Sequence, residues 1–224
     1  NEVLQTSDGA DIIVQSKGGA VLIREGESLS SFYLVKFLGF DENGNPLYDD
    51  LDGDGVATDL DRQIVGTSLP DFVYGLNIEG RYKQLSLDMN FQGTSGGSIF
   101  NEMVSHKLAV PNIENNKIKN ITDYLPNSST ENTEIWTGAS DQFLENGSYL
   151  RLKNVKLNYQ FSFSGSFISA LNLYVSGQNL LTFTNYSGYD PEVNSFSGND
   201  LRQGFDFGAY PSTKTVTFGM NVTF

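Results

Sequence analysis

Cysteine is absent from the 224 residues, histidine and tryptophan occur once each, and carboxylates outnumber cations 27 to 14. Each shortage removes a class of function. Without cysteine there is no disulfide framework, no thiolate metal site and no thiol nucleophile. With His106 as the single imidazole, a Ser-His-Asp arrangement would rest on one residue in a polar loop, so the chain is not expected to be an enzyme. A formal charge of −13 argues against nucleic acid, because phosphate neutralisation needs clustered Lys and Arg. With so many carboxylates, some pair will always resemble a glycosidase dyad, and that signal is empty without geometry. No run of about 18 apolar residues exists, so no transmembrane helix is expected; a membrane barrel, whose signal per strand is far weaker, remains open. The opening "NEVLQTSDGADIIVQ" has no initiator Met, basic n-region or apolar h-region, the pattern of a processed chain or of the later part of a longer one.

What is abundant is phenylalanine, tyrosine and glycine, at 16, 11 and 23 residues, a composition of strands and turns. Period-two alternation is clean in several segments. In 72–82, Phe72, Tyr74, Leu76, Ile78 and Tyr82 oppose Asn77, Glu79 and Arg81. In 85–92, Leu85, Leu87, Met89 and Phe91 oppose Ser86, Asp88, Asn90 and Gln92. The segments 155–163, 171–183 and 215–224 repeat the pattern, and 11–24 and 31–40 follow it less cleanly, giving about seven strands. Alternation over nine to eleven residues matches the span of a tilted bilayer-crossing strand. Links near 25–30, 81–83 and 164–169 are short, whereas those near 41–69, 95–146 and 185–209 are long; the middle one runs to about fifty residues, which a compact sandwich has little use for. Tight turns at one end and long loops at the other are the habit of outer-membrane barrels. The alternative is a soluble calcium-binding β domain, such as a carbohydrate-binding module; a surface hydrolase on a β scaffold is a further competitor.

Charge tests the barrel, since a lipid-facing Lys or Arg near the midplane costs about 2–4 kcal/mol. Glu79, Arg81, Asp88 and Lys156 fall on polar faces. Arg151 and Lys153 share parity with Val155 and Leu157, which is tolerable only if they lie at the outer end of their strand. Lys36 sits uncomfortably in 31–40, and Lys214 shares the apolar parity of the last strand near its outer end.

The stretches "ENGSYLRLKNVKLNYQF" (145–161), "LNLYVSGQNLLTFTNYSGYDPE" (171–192), "GFDFGAYPSTKTVTFGMNVTF" (204–224) and "DGDG…DRQIVGTSLPDFVYGLN" (52–77) together resemble the C-terminal region of the SusC/RagA family of TonB-dependent outer-membrane transporters of Bacteroidetes. Lys214 departs from the arginine more often expected in the "YPxxR" stretch, which loses a bidentate fork there. The resemblance implies an all-β, antiparallel transmembrane β-barrel of roughly 22 strands around an N-terminal plug. Residues 1–224 would be its C-terminal portion, with the plug and the N-terminal strands upstream. It further implies energy-dependent import of oligosaccharides or peptides, a SusD-like surface lipoprotein as a lid, a TonB complex met through the upstream region, outer-membrane lipid around the strands, and a terminal aromatic, Phe224, read by the assembly machinery.

One motif suggests a metal. In "DLDGDGVATDLD" (50–61), Asp50, Asp52 and Asp54 occupy positions 1, 3 and 5 of a calcium loop, Gly55 the sharp turn at 6, the Val56 carbonyl position 7 and Asp61 position 12. Asp in place of the usual closing Glu makes bidentate closure harder. Three crowded carboxylates favour a cation, here calcium in a loop-stiffening role; the plain alternative is an acidic, Gly-rich turn. In "SGYDPE" (187–192), Asp190 and Glu192 are placed to meet sugar hydroxyls or simply to shape a turn. Tyr124, Trp136 and Tyr149, in or beside the long 95–146 loop, are candidates equally for stacking on sugar rings and for packing the loop onto its neighbours or partner, and Tyr82, Phe163, Phe183 and Tyr210 for an aromatic girdle.

Overall fold

A computed structural model describes residues 1–15, 19–104, 140–165, 167–192, 195–196 and 200–224. In chain order the strands are β1 (Ile12–Gln15), β2 (Ala20–Ile23), β3 (Ser31–Val35), β4 (Phe37–Phe40), β5 (Pro46–Tyr48), β6 (Arg62–Thr67), β7 (Phe72–Tyr82), β8 (Leu85–Ser95), β9 (Ser98–Asn101), β10 (Leu144–Asn146), β11 (Tyr149–Ser162), β12 (Ala170–Thr184), β13 (Phe205–Asp206) and β14 (Thr215–Thr223). Length sorts them. Strands β7, β8, β11, β12 and β14 have 11, 11, 14, 15 and 9 residues, enough to cross a bilayer when tilted. The others have six or fewer.

The same division separates two compact units. The first comprises residues 1–70, 97–147 and 186–210; the second comprises 71–96, 148–185 and 211–224. The second is a single antiparallel sheet in the order β14-β12-β11-β8-β7. Its β7–β8 and β11–β12 links are short, and the β7–β8 hairpin turns on Lys83 in the left-handed region.

Register joins the alternation of single strands into two continuous faces. Across the sheet, Ile78, Met89, Val155, Gly177 and Val216 form one row, Gly80, Leu87, Leu157, Val175 and Phe218 the next, and Tyr82, Leu85, Tyr159, Leu173 and Met220 a third. Polar rows flank and separate them: Asn77, Asn90, Asn154, Gln178 and Thr215 before the first, and Glu79, Asp88, Lys156, Ser176 and Thr217 between the first and second. Asn90 donates to Asn77 within that ladder. Among the described residues no core covers the apolar face: Phe218 is 79% exposed, and Leu76, Leu157, Leu173 and Met220 are exposed as well.

Arg151 corrects the parity argument. The register of β11 shifts between Leu152 and Asn154 against both neighbours. This bulge at Lys153 puts one extra residue opposite β8 and reverses the face of everything before it. Leu152 therefore aligns with Phe91 and Leu181 on the apolar side, and Arg151 with Gln92 and Thr182 on the polar side. Arg151 is buried, with Nε donating to Thr182 Oγ1 at 2.9 Å and a terminal nitrogen donating to Ser212 Oγ at 3.1 Å. Its charge leaves the apolar parity by a change of face, not only by its place near a strand end.

The first unit corrects the strand count. Segments 11–24 and 31–40 do not join the long sheet; they supply β1, β2 and β3, which with β6 make a separate four-stranded sheet. Five of the seven segments read as barrel strands therefore share one sheet. The reason lies in β2 and β3: Ala20, Val21, Leu22 and Ile23 are buried without alternation, as are Phe32, Leu34 and Val35. A short apolar run of this kind is a strand buried on both faces. Lys36 is simply an exposed residue between β3 and β4. The unit also holds a β4–β5 hairpin and a three-stranded sheet β10-β9-β13, in which β13 runs parallel to β9. Its core gathers Val21, Ile23, Phe32, Leu34, Phe100, Phe143 and Phe205. Phe205 lies at 5.4 Å from Phe32 and 5.6 Å from Phe100 between ring centroids, so residues from all three segments of the unit meet on one side chain. The described parts of the long links thus have packing of their own.

Candidate functional site

The acidic loop between β5 and β6 gathers three of the four carboxylates expected to hold calcium. One carboxylate oxygen from each of Asp50, Asp52 and Asp54 lies within 4.8 Å of the others, and all three side chains are exposed. The loop closes on itself through backbone amides. Asp50 accepts from Gly53 N at 2.7 Å and Gly55 N at 2.9 Å, Asp52 from Asp54 N at 3.1 Å, and Asp54 from Val56 N at 2.7 Å. Gly53 and Gly55 take φ of 76° and 85°, which glycine adopts without a steric penalty, and this lets the chain coil tightly around the carboxylates.

Asp61 does something else. It is fully buried; Oδ1 accepts from Leu51 N at 2.8 Å and Oδ2 from Thr58 N at 2.7 Å. It is the return half of a capping box on the short Asp59–Asp61 helix, with Thr58 Oγ1 accepting from Leu60 N at 3.1 Å. Asp61 therefore ties the two ends of the loop together and stays outside the cluster. The amide of Thr58, followed by those of Leu51 and Asp52, holds its carboxyl below the usual carboxylate range against the opposing effect of burial. Asp52 moves the other way. The Asp54 amide lowers its pKa, but desolvation and the charges of Asp54, Asp61 and Asp50 together push it above its ordinary value. A cation would relieve that crowding. Asp50, Asp52 and Asp54 are the residues here able to hold one.

The "SGYDPE" stretch takes the turn reading at Asp190, which is buried and accepts from Glu192 N at 2.9 Å. Beside it, Asn101, Met103, Val104, Ser187, Gly188, Tyr189 and Asp206 line a cleft of about 170 Å³. Its polar groups engage one another: Asn101 Nδ2 donates to Glu145 and Ser187 Oγ, and Tyr186 Oη donates to Asp206 at 2.6 Å. Burial, then the Asp206 hydrogen bond, pushes the Tyr186 phenol strongly upward. His106, Tyr124 and Trp136 lie outside the described residues. Tyr149 opens β11 as a buried residue, not a free platform.

Among curated proteins, TonB-dependent receptor P3 of Formosa agariphila is 34% identical over 259 residues that take in all of this chain. TonB-dependent receptor P26 of the same organism is 30% identical across 97% of it, and TonB-dependent receptor SusC of Bacteroides thetaiotaomicron is 26% identical across 89%. The chain belongs to the SusC/RagA family of TonB-dependent receptors. These are receptors, and the family is not one of enzymes. No protein-family model matches the chain. The chain spans about a quarter of the length of the curated relatives it matches: 26%, 25% and 20% for the three named. Solved structures share the fold. The RagAB peptide importer in its 'open-open' state covers the whole chain at a TM-score of 0.74 and 24% identity, and a structure of the RagAB peptide transporter covers 96% at 0.72 and 25%. In both, the matched region is 25% of the solved chain. The SusC/RagA chain thus presents part of an antiparallel β transporter fold, with the acidic loop and the cleft both in its first unit.

Three features of the SusC/RagA chain were missed from the residues alone: the inward turn of Arg151, the capping role of Asp61, and the Phe205 core. The first two left signals, a cation on an apolar parity and the Thr58-x-x-Asp61 spacing of a capping box. The third left none, because Phe205 and Phe100 are joined only by folding.

Proposed function

We propose that residues 1–224 are the C-terminal portion of the barrel of an outer-membrane importer, energised through TonB, that carries oligosaccharides or peptides inward beneath a SusD-like surface lipoprotein. The supporting observation is the long sheet. Its Leu, Val, Phe, Met and Tyr face lacks a protein core and suits lipid, while its Asn, Gln, Ser and Thr face suits a wet lumen. A soluble calcium-binding β domain would have to leave that whole face in water, far beyond the apolar patch a soluble monomer exposes. On this reading the plug and the TonB-contacting segment lie upstream in the receptor. RagAB is named a peptide importer; for this chain glycan and peptide stand as two arms of one assay. The receptor should partition with outer membranes and migrate faster unheated than boiled. Cells carrying it should take up a labelled oligosaccharide or peptide pool only when TonB is intact. Recovery in the soluble fraction would overturn the proposal in favour of the soluble domain.

The acidic loop supports a second, smaller reading, in which Asp50, Asp52 and Asp54, with the Val56 carbonyl, take one calcium ion while Asp61 holds the loop shut. Calcium at about a hundred times its dissociation constant would stabilise the first unit by about 2.7 kcal/mol. Thermal unfolding with calcium and then excess chelator checks this. An unchanged midpoint in the wild type, or an equal calcium shift in D52N/D54N, removes the ion from the account.

A further inference from the structure

The two-faced sheet rules out a one-residue slip between strands, since that would send every apolar side chain to the wrong side. A two-residue slip escapes the rule, because both faces survive it. Something else must select among registers two apart, and two tyrosines are placed to do it.

On the polar face, Tyr174 of β12 lies over Gly219 of β14, its register partner. A Cβ added to Gly219 would overlap the ring, and Lys156 Nζ of β11 sits over the ring at 4.7 Å from its centroid. On the apolar face, Tyr74 of β7 lies over its partner Gly93 of β8, where an added Cβ would come within 2.7 Å of the ring and overlap the Tyr149 carbonyl. Tyr74 Oη donates to that same carbonyl on β11 at 3.1 Å, so one side chain spans three strands. A two-residue slip puts Tyr174 opposite Thr217 or Asn221, and Tyr74 opposite Phe91 or Ser95, where side chains occupy the seat that glycine leaves open. Glycine inside a strand weakens it, and these two stand where a neighbouring ring needs room. Gly80 does not: it has open space around its Cβ position.

We infer that the Tyr74–Gly93 and Tyr174–Gly219 seats are register keys that select the native pairing of β7 with β8 and of β12 with β14 against two-residue slips. They act on assembly of the sheet and need no ligand.

These 224 residues lack cysteine, so with any cysteine elsewhere in the receptor replaced by serine, engineered pairs report register directly. In the full receptor, S176C/T217C reads the native pairing and S176C/T215C a two-residue slip. Adding Gly219→Ala should lower the ratio of native to slipped cross-link by about tenfold, the scale of overpacking by one methyl against a ring. Adding Tyr174→Ala to that variant should restore part of the loss of native pairing, and Gly80→Ala should leave the ratio at the wild-type value. The inference fails if Gly219→Ala keeps the wild-type ratio, or if it lowers the amount of folded protein while the ratio holds, since that is destabilisation without slippage. It fails equally if Gly80→Ala shifts the ratio as far as Gly219→Ala. The readout is independent of the transport proposal: cross-links report pairing wherever the chain folds, whereas loss of membrane partitioning by the wild type would bear on transport alone.

Discussion

The two units draw on the same residues and obey opposite rules. In the long sheet, phenylalanine, leucine and valine recur at every second position and remain exposed on one face. In the first unit the short runs of β2 and β3 are buried and, with Phe100 and Phe143, gather around Phe205, which is 0% exposed. One unit is held by hydrogen-bonded register between neighbouring strands, the other by a centre. Alternation length, not hydrophobic content, thus separates a sheet with one apolar and one polar face from a core made to exclude water.

The contrast is most vulnerable at that centre. Phe205→Ala should cost the first unit about 3–5 kcal/mol through lost burial and the cavity left behind, with little effect on the long sheet. Limited proteolysis of the first unit beside heat-modifiable migration of the barrel would separate the two effects. Next comes the face rule. Leu157→Arg, in the middle of an apolar row, should cost about 2–4 kcal/mol and reduce the fast-migrating form, while Asn172→Arg on the polar face should be tolerated. Equal loss from both would mean that the two faces do not meet different solvents. Smaller is the cap: Thr58→Ala should cost about 0.5–2 kcal/mol, seen as a lower midpoint for the first unit alone. The smallest effect is on pH. The folded-state pKa of Asp61 lies below its ordinary value of 3.8, so its contribution is complete above that value and is lost as the pH falls through the folded pKa. Asp52, whose pKa is raised, opposes this, because its protonation relieves crowding in the folded loop. Acid titration of the first unit should show Asp61→Asn flattening the acid limb and Asp52→Asn steepening it.

What the sequence made legible follows from the same contrast. The strands β7, β8, β11, β12 and β14 were readable because a period-two pattern sustained over nine or more residues fits a two-faced strand and no helix. The segments 11–24 and 31–40 fall in the separate sheet because four consecutive apolar residues such as Ala20–Ile23 lack the alternation that marks a two-faced strand. The metal-like spacing located Asp50, Asp52 and Asp54 together, but spacing is blind to which carboxylate the backbone claims, and Thr58, Leu51 and Asp52 amides claim Asp61. The bulge at Lys153 could be sensed only as a charge in the wrong place, since one inserted residue leaves no mark of its own.

The parallel pairing of β13 with β9 also orders events in time. Phe205 arrives more than a hundred positions after Phe100, and β11 and β12 are made between them. The centre of the first unit therefore needs a residue that follows four of the five long strands in the chain. Contacts so distant along the chain form slowly, because loop closure must precede them. The hairpins β7–β8 and β11–β12, each closed by a short turn, can form far earlier. The core around Phe205 is therefore expected to close after those hairpins have formed.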